Sequence, residues 1–304
     1  MRVDRRRFLA ISVASLAGTG ADAAITALNR LQFRALGAEC EVSLPGDPDR
    51  AERAVAEVAL AIDRIEQSFS IWRSASELSR LNRAGTFSGA SPGFLRGWYQ
   101  ALELSRRTGG SFDVTVQPLW EVAARGSEAE PVIGWQRVRI DEDTIQFDKG
   151  MRATFNGIAQ GIAADDAIAV LEARGYRDVL VNLGEYQARG LHPDGRSWRV
   201  GVENPITGEI AAVMAPEPGF GAIATSEPQG TTIRGRPHIF DPLDRPGPRW
   251  ASVTVRAATA AWADGVSTAI AASPIGMAQQ LLEATGVREA ILIDLSGNIR
   301  HWHA

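Results

Sequence analysis

The stretch that most restricts this chain runs from Ala251 to Thr268. Ala251-Ser252-Val253-Thr254-Val255-Arg256 alternates and is rich in β-branched residues, so it reads as a strand. The alanine-rich segment over about Ala260–Ala272 reads as a helix. Such a helix places Asp264 and Thr268 four residues apart on one face. A carboxylate and a hydroxyl there form a hard, all-oxygen pair suited to Mg²⁺ and a phosphorylated ligand. The same two residues also fit a capping Asp beside a surface Thr, so the rest of the chain has to decide.

With 304 residues there is ample chain for a large core. Hydrophobic content of 45% beside 22% charged residues is that of a soluble globular protein. The net charge of -4 gives no nucleic-acid footprint. Lys149 is the only lysine, so the positive charge is nearly all arginine. Cys40 is the only cysteine, which excludes an internal disulfide.

The N-terminus reads as an address. Asp4-Arg5-Arg6-Arg7-Phe8-Leu9-Ala10 has the twin-arginine layout, a short apolar run follows from Ile11 to Ala17, and Ala21-Asp22-Ala23 offers small residues for cleavage. That run is too short to span a bilayer. Residues 1–23 are therefore expected to be a twin-arginine signal peptide, residues 24–304 one folded domain, and the mature protein periplasmic.

Further along, Leu31–Gly37 and Cys40–Leu44 form an expected strand pair broken at Gly37. Apolar residues Val58, Ile62, Ile65 and Phe69 recur at helical spacing after the start signal Asp47-Pro48-Asp49. Shorter helices are expected over Ser76–Asn82 and Pro92–Thr108, the latter stopped by Gly109-Gly110. Residues 121–136 read as a loop, and short strands are expected near 138–140 and 144–147. A glycine-punctuated entry leads from Gly157 into a helix ending near Gly175, followed by a buried-type strand, Asp178–Gly184. Later strands are expected near 198–202, 221–224 and 251–256, a helix from Pro274 to Gly286, and a C-terminal hairpin turned at Ser296-Gly297-Asn298. Strands and helices mix without a βαβ rhythm, so the class is α+β.

Three segments carry candidate chemistry. Gly109-Gly110-Ser111-Phe112-Asp113 puts small residues where a backbone can approach a phosphate or flat ring, then adds an acid. Asn156-Gly157-Ile158-Ala159-Gln160-Gly161 opens a helix where free carbonyls suit a cation and free N–H groups an anion. It lacks the Gly-Lys-Ser/Thr ending of a Walker A loop. His238-Ile239-Phe240-Asp241-Pro242 sets a histidine beside a proline-fixed turn, placed for acid/base work or for gripping a phosphate. Thr225-Ser226 offers hydroxyls at a strand exit, whereas His301 and His303 read as solvated strand-end residues.

The order of these motifs is more specific than any one of them. Phe69-Ser70-Ile71-Trp72, Ser76-Glu77-Leu78-Ser79-Arg80-Leu81-Asn82, Gly110 to Leu119, Gly157 to Gly161 with Asp165, Val181-Asn182-Leu183-Gly184, Thr225-Ser226, His238 to Pro242 and Asp264 with Thr268 follow one another. This order resembles the ApbE family of FAD:protein FMN transferases, over nearly the whole mature chain. The twin-arginine leader and the divergence resemble the exported branch that accompanies nitrous oxide reductase, the NosX type. The resemblance implies an ApbE-like, T-fold-related single domain of mixed sheets with packed helices. It implies Mg²⁺ as cofactor, FAD as substrate, and transfer of FMN to a Ser or Thr hydroxyl of a membrane or periplasmic redox protein, with release of AMP. By the same resemblance Asp264 and Thr268 are the side-chain Mg²⁺ ligands and the Gly157 carbonyl a third. Leu36, Trp72, Ser111, Phe112, Asp113, Thr154, Gln160 and Ile239 fall at FAD-binding positions. His238 and Asp264 fall at catalytic positions.

The chain departs from the family pattern in four places. Leu36-Gly37-Ala38 stands where members carry Met-Gly-Thr, Gln160 where Lys is common, Gly184-Glu185 where two glycines are usual, and Ser226-Glu227 where Ser-Gly is usual. Glu185 and Glu227 are expected to add bulk and negative charge near a dianionic ligand. Two other readings therefore stand beside transfer: an FAD-binding carrier or chaperone, and an FAD diphosphatase.

Overall fold

Asn29, Leu31 and Phe33 point inward while Arg30, Gln32 and Arg34 face solvent, and this alternation makes Leu28–Ala35 a half-buried strand. It is β2 (Leu28–Ala35), and it turns at Leu36-Gly37 into β3 (Ala38–Pro45) with Phe33 opposite Cys40. The structure is a computed structural model and describes residues 12–15, 27–126 and 130–304. Of the expected leader only β1 (Ser12–Ser15), antiparallel to β2, falls among the described residues. The twin-arginine motif and the cleavage segment lie outside them. Among the described residues no helix is long and apolar enough to cross a membrane.

Asp47 accepts the Arg50 N–H and Pro48 opens the first turn, so α1 (Pro48–Phe69) starts where its cap dictates. Ser76 caps α2 (Glu77–Ala84) and Ser91 caps α3 (Pro92–Arg107) in the same way. Between and after them lie β4 (Thr86–Phe87), a 3-10 turn over Val114–Val116, and α4 (Gln117–Arg125). The loop expected over 121–136 is thus helical to Arg125, since Pro118 is compatible with a first turn and Gly126 supplies the left-handed stop. Strand β6 (Thr144–Gln146) pairs with both β4 and β5 (Arg139–Asp141) in a small three-stranded sheet.

The second half contributes α5 (Ala159–Ala173), β7 (Val179–Asn182), β8 (Tyr186–Arg189), β9 (Val200–Glu203) and β10 (Ile210–Met214). It continues with β11 (Ala222–Ser226), the two-residue strands β12 (Thr232–Ile233) and β13 (Arg236–Pro237), and β14 (Trp250–Ala257). The chain ends with α6 (Ala260–Ala272), α7 (Ala278–Thr285), β15 (Glu289–Asp294) and β16 (Ile299–His303). The main sheet has the order β1-β2-β3-β7-β8-β11-β14-β15-β16, and its pairs are antiparallel. That arrangement is α+β with one large domain, as the sequence led us to expect.

Helices α1, α5 and α6 lie on one face of this sheet over a continuous core that includes Leu31, Val58, Ile62, Phe155 and Val266. A smaller cluster of Val200, Val202, Met214, Ile223, Ile291 and Ile293 covers part of the other face. β14 is buried at all eight positions because both of its faces are covered. The polar alternates that looked solvent-facing in the sequence are therefore inside: Ser252 and Thr254 have no exposure, and Arg256 is paired with Glu217 and Glu289.

Candidate active site

Helices α5 and α6 meet at their N-terminal ends, and Gly161 sets how closely. A Cβ at Gly161 would overlap the Ala260 carbonyl oxygen and carbon, so only glycine permits this crossing. Asp165, one turn further on, accepts the Ala260 and Ala261 N–H groups at 2.9 and 3.0 Å and so caps α6 from its neighbour. The close crossing lets the Gly161 N–H donate to Asp264 Oδ2 at 3.0 Å. Asp264 is only 4% exposed. Burial pushes its carboxyl up to about 7, against the pull of the Gly161 N–H and with some help from the Asp165 charge.

One turn along α6, Thr268 Oγ1 lies 3.5 Å from the Gly157 carbonyl oxygen and 3.2 Å from Ser226 Oγ at the end of β11. Ser226 Oγ also meets Ser267 Oγ at 2.8 Å. A Cβ on Gly157 would come within 2.9 Å of Thr268 Cγ2, so a bare backbone is what lets this carbonyl face the threonine. The hydroxyls of Thr268, Ser226 and Ser267 and the Gly157 carbonyl oxygen meet here, one helical turn along α6 from Asp264. The set is chemically right for Mg²⁺, which binds through few protein carboxylates and takes its remaining oxygens from water and substrate. Among the described residues there is no group of three or more His, Cys, Asp or Glu placed to hold a metal.

Gln160 stands against Gly184, whose φ of 101° and lack of a side chain leave room for the amide. Glu185, expected to add bulk and negative charge near the ligand, follows Gly184 in the chain. It is buried and accepts the Thr225 N–H at 3.0 Å. Its carboxyl is held well above the ordinary range by burial first, then by the Asp264 charge. Glu227 is half-buried, its carboxyl raised by burial and by Glu203.

The glycine-rich turn after α3 behaves differently from a simple ligand loop. Phe112 is buried, and its ring edge would touch a Cβ placed on either Gly157 or Gly265. Asp113 is also buried, and its carboxylate accepts from the Thr115 N–H, the Thr115 hydroxyl and the Trp135 N–H at 2.7, 2.7 and 3.0 Å. These bonds oppose the rise that burial gives its carboxyl and fix the turn over Val114–Val116. Ser111 Oγ accepts from Arg245 at 3.0 Å. Arg245 also grips both oxygens of Asp241 at 2.9 Å, so the loop carrying His238 is fastened to the Ser111 turn. Asp241 is thus a structural anchor and not a partner of His238. Nothing in the motif predicted Arg245, although two arginines among the prolines and glycines of 242–250 were a cue.

His238 follows the β12–β13 hairpin, half-buried, with Nδ1 3.0 Å from the Thr231 carbonyl and 3.2 Å from that of Pro228. Two acceptors at Nδ1 require a proton there, which leaves Nε2 with the lone pair in the neutral ring. Ile239 packs on the main core. Thr154 donates its N–H to the Val114 carbonyl at 2.8 Å, and its hydroxyl accepts from Asn156.

Leu36 and Trp72 form a separate group. Leu36 has a φ of 53° and donates its N–H to Glu66, which is ion-paired with Arg73 next to Trp72. Trp72 is 64% exposed and borders a cavity of about 470 Å³ with Ile71, Trp120, Arg125 and Arg152. The run Gly89-Ala90-Ser91-Pro92-Gly93 spells a nucleophile-elbow pattern. Ser91, however, is spent on capping α3 and on Glu77.

The model of the ApbE family matches residues 36–292. This chain belongs to the ApbE family. It is 29% identical to the FAD:protein FMN transferase of Vibrio cholerae over 256 residues, covering 75% of each chain. It is 27% identical to that of Klebsiella pneumoniae over 304 residues, or 90% of this chain and 86% of the relative. Solved ApbE structures share the fold: that of Vibrio cholerae superimposes with a TM-score of 0.76 over 90% of this chain and 96% of its own, at 24% identity. The apo flavinyl transferase ApbE of Pseudomonas stutzeri gives 0.78 over 93% and 97%, also at 24% identity. The order of motifs read from the sequence thus points to the right family.

Proposed function

We propose that this protein is a Mg²⁺-dependent FAD:protein FMN transferase that acts on a periplasmic or membrane redox protein. Family membership supports flavin transfer, and the observation that carries the metal-dependent reading is the oxygen cluster of Asp264, Thr268 and Gly157. Mg²⁺ bound there would neutralise charge on the FAD diphosphate and on the departing AMP. The chain's own residues do the rest. Gly157, Gln160 and the Ser111–Asp113 turn position the diphosphate and flavin, with Leu36, Trp72, Thr154 and Ile239 as further contacts. A Ser or Thr hydroxyl of the acceptor attacks the phosphorus on the FMN side. A new oxygen–phosphorus bond forms, the anhydride oxygen–phosphorus bond breaks, and AMP leaves with the bonding pair. His238 Nε2 takes the hydroxyl proton. The twin-arginine layout of residues 4–10 supports export of the folded protein, and with it a periplasmic setting for this reaction.

The test is to incubate mature protein with FAD, Mg²⁺ and a flavin-accepting domain, reading in-gel fluorescence on that domain together with AMP. Label plus AMP is expected. AMP and free FMN without label would mean an FAD diphosphatase, and bound FAD with neither product a flavin carrier. Asp264→Ala is expected to lose both products, and an undiminished rate in that variant would refute the metal assignment.

A further inference from the structure

Glu185 is an expensive residue to place where it lies. Burying a carboxylate costs free energy unless it is paired, and Glu185 is 6% exposed. Its donor is one backbone N–H, that of Thr225. The charge that acts on it is another buried carboxylate, Asp264, and among the described residues no arginine or lysine is ion-paired with either. Three contacts tie its segment to the residues around the oxygen cluster. Gly184 before it abuts Gln160, its own carboxylate holds Thr225, and Ser226 next to Thr225 meets Thr268 Oγ1. The second oxygen of Glu185 has no donor among the described residues.

We propose that Glu185 is a second carboxylate of the cation site, so that this chain binds its divalent cation without waiting for the dinucleotide. The inference rests on the reading that Asp264 and Thr268 hold the cation. A site with one carboxylate, a hydroxyl and a carbonyl oxygen leans on ligand phosphates for affinity. A second carboxylate supplies that charge from the protein itself. The cation in turn answers the repulsion between the two buried acids, which no side chain does.

The experiment is calorimetric titration of Mg²⁺, and of Mn²⁺ followed by its electron paramagnetic resonance signal, into mature protein freed of nucleotide. The wild type is expected to bind one cation. Glu185→Gln keeps the acceptor for Thr225 and removes the charge, and is expected to weaken binding by about tenfold or more, the scale of one charge in a poorly solvated site. Glu185→Gly should do the same, and serves if the first variant misfolds. In chelator the Glu185→Gln protein should melt higher than the wild type, and added Mg²⁺ should raise its midpoint less. Equal or tighter binding in both variants, or no cation bound by nucleotide-free wild type, overturns the role of Glu185. Asp264→Asn separates the two ideas: if it binds the cation as the wild type does, the cation site itself is misassigned. Loss of binding in Asp264→Asn with none in Glu185→Gln removes Glu185 alone.

Discussion

At the residue scale, His238 is the side chain whose chemistry its neighbours decide most directly. The carbonyls of Pro228 and Thr231 claim Nδ1, so in the proposed reaction the ring would act as a base through Nε2. Replacing it by Ala is expected to slow AMP release by about 10²- to 10⁴-fold, the usual worth of a positioned acid/base group, while FAD affinity by titration changes little. A loss below tenfold would assign the proton elsewhere. Cys40 gives a prediction of another kind. It is buried, and burial pushes its thiol from 9.0 up to about 11. Between those values the folded chain keeps a proton that the unfolded chain gives up, so this group's contribution to stability is complete below pH 9 and falls as pH rises toward 11. Iodoacetamide at pH 8.5 should accordingly label Cys40 only after denaturant is added. Rapid labelling of the native protein would contradict its burial in β3.

At the element scale, the crossing of α5 over α6 carries the site. Gly161→Ala would force a Cβ into the Ala260 carbonyl and is expected to cost about 1–3 kcal/mol in urea denaturation, as overpacking does. Gly276→Ala, with no atom within 4 Å of the new Cβ, is the matched control and should change little. Equal effects would mean that the two helices have slack. Much of this element was legible: Ala260–Ala272 has alanines and no breaker until Ser273-Pro274, and the observed helix has the expected limits. Less legible were β8 and β10. Tyr186-Gln187-Ala188-Arg189 is short and polar, and it is held as a strand by its neighbours β7 and β11, with Gln187 fully buried. Tertiary pairing outweighs pattern in such a segment. The helical end of the 121–136 region is hidden for a related reason, since the five residues from Glu121 to Arg125 are too few to show a helical period.

At the scale of the whole molecule, the site draws on segments from Leu36 to Thr268, and sequence order alone does not say which of them touch. Asp165 capping α6 and Arg245 reaching Ser111 join residues 95 and 134 positions apart. Glu185 was legible as a departure but not as a buried neighbour of Asp264, because the turn that directs its side chain depends on Thr225 from another strand. A site assembled from so many segments should couple ligand binding to global stability. A ligand that binds only the folded chain adds RT ln(1 + [L]/Kd), about 2.7 kcal/mol at a hundredfold excess over Kd. FAD with Mg²⁺ is therefore expected to raise the melting midpoint by several degrees. FAD in chelator should raise it by less, since the diphosphate then meets Asp264 and Glu185 without a cation between them. Differential scanning fluorimetry across a FAD titration, with and without chelator, reads both quantities. Asp264→Asn should erase the difference between the two curves, because it removes the group on which the cation depends. If wild-type curves with and without chelator coincide, the cation and the dinucleotide do not share a site, and metal-assisted transfer at this cluster must be abandoned.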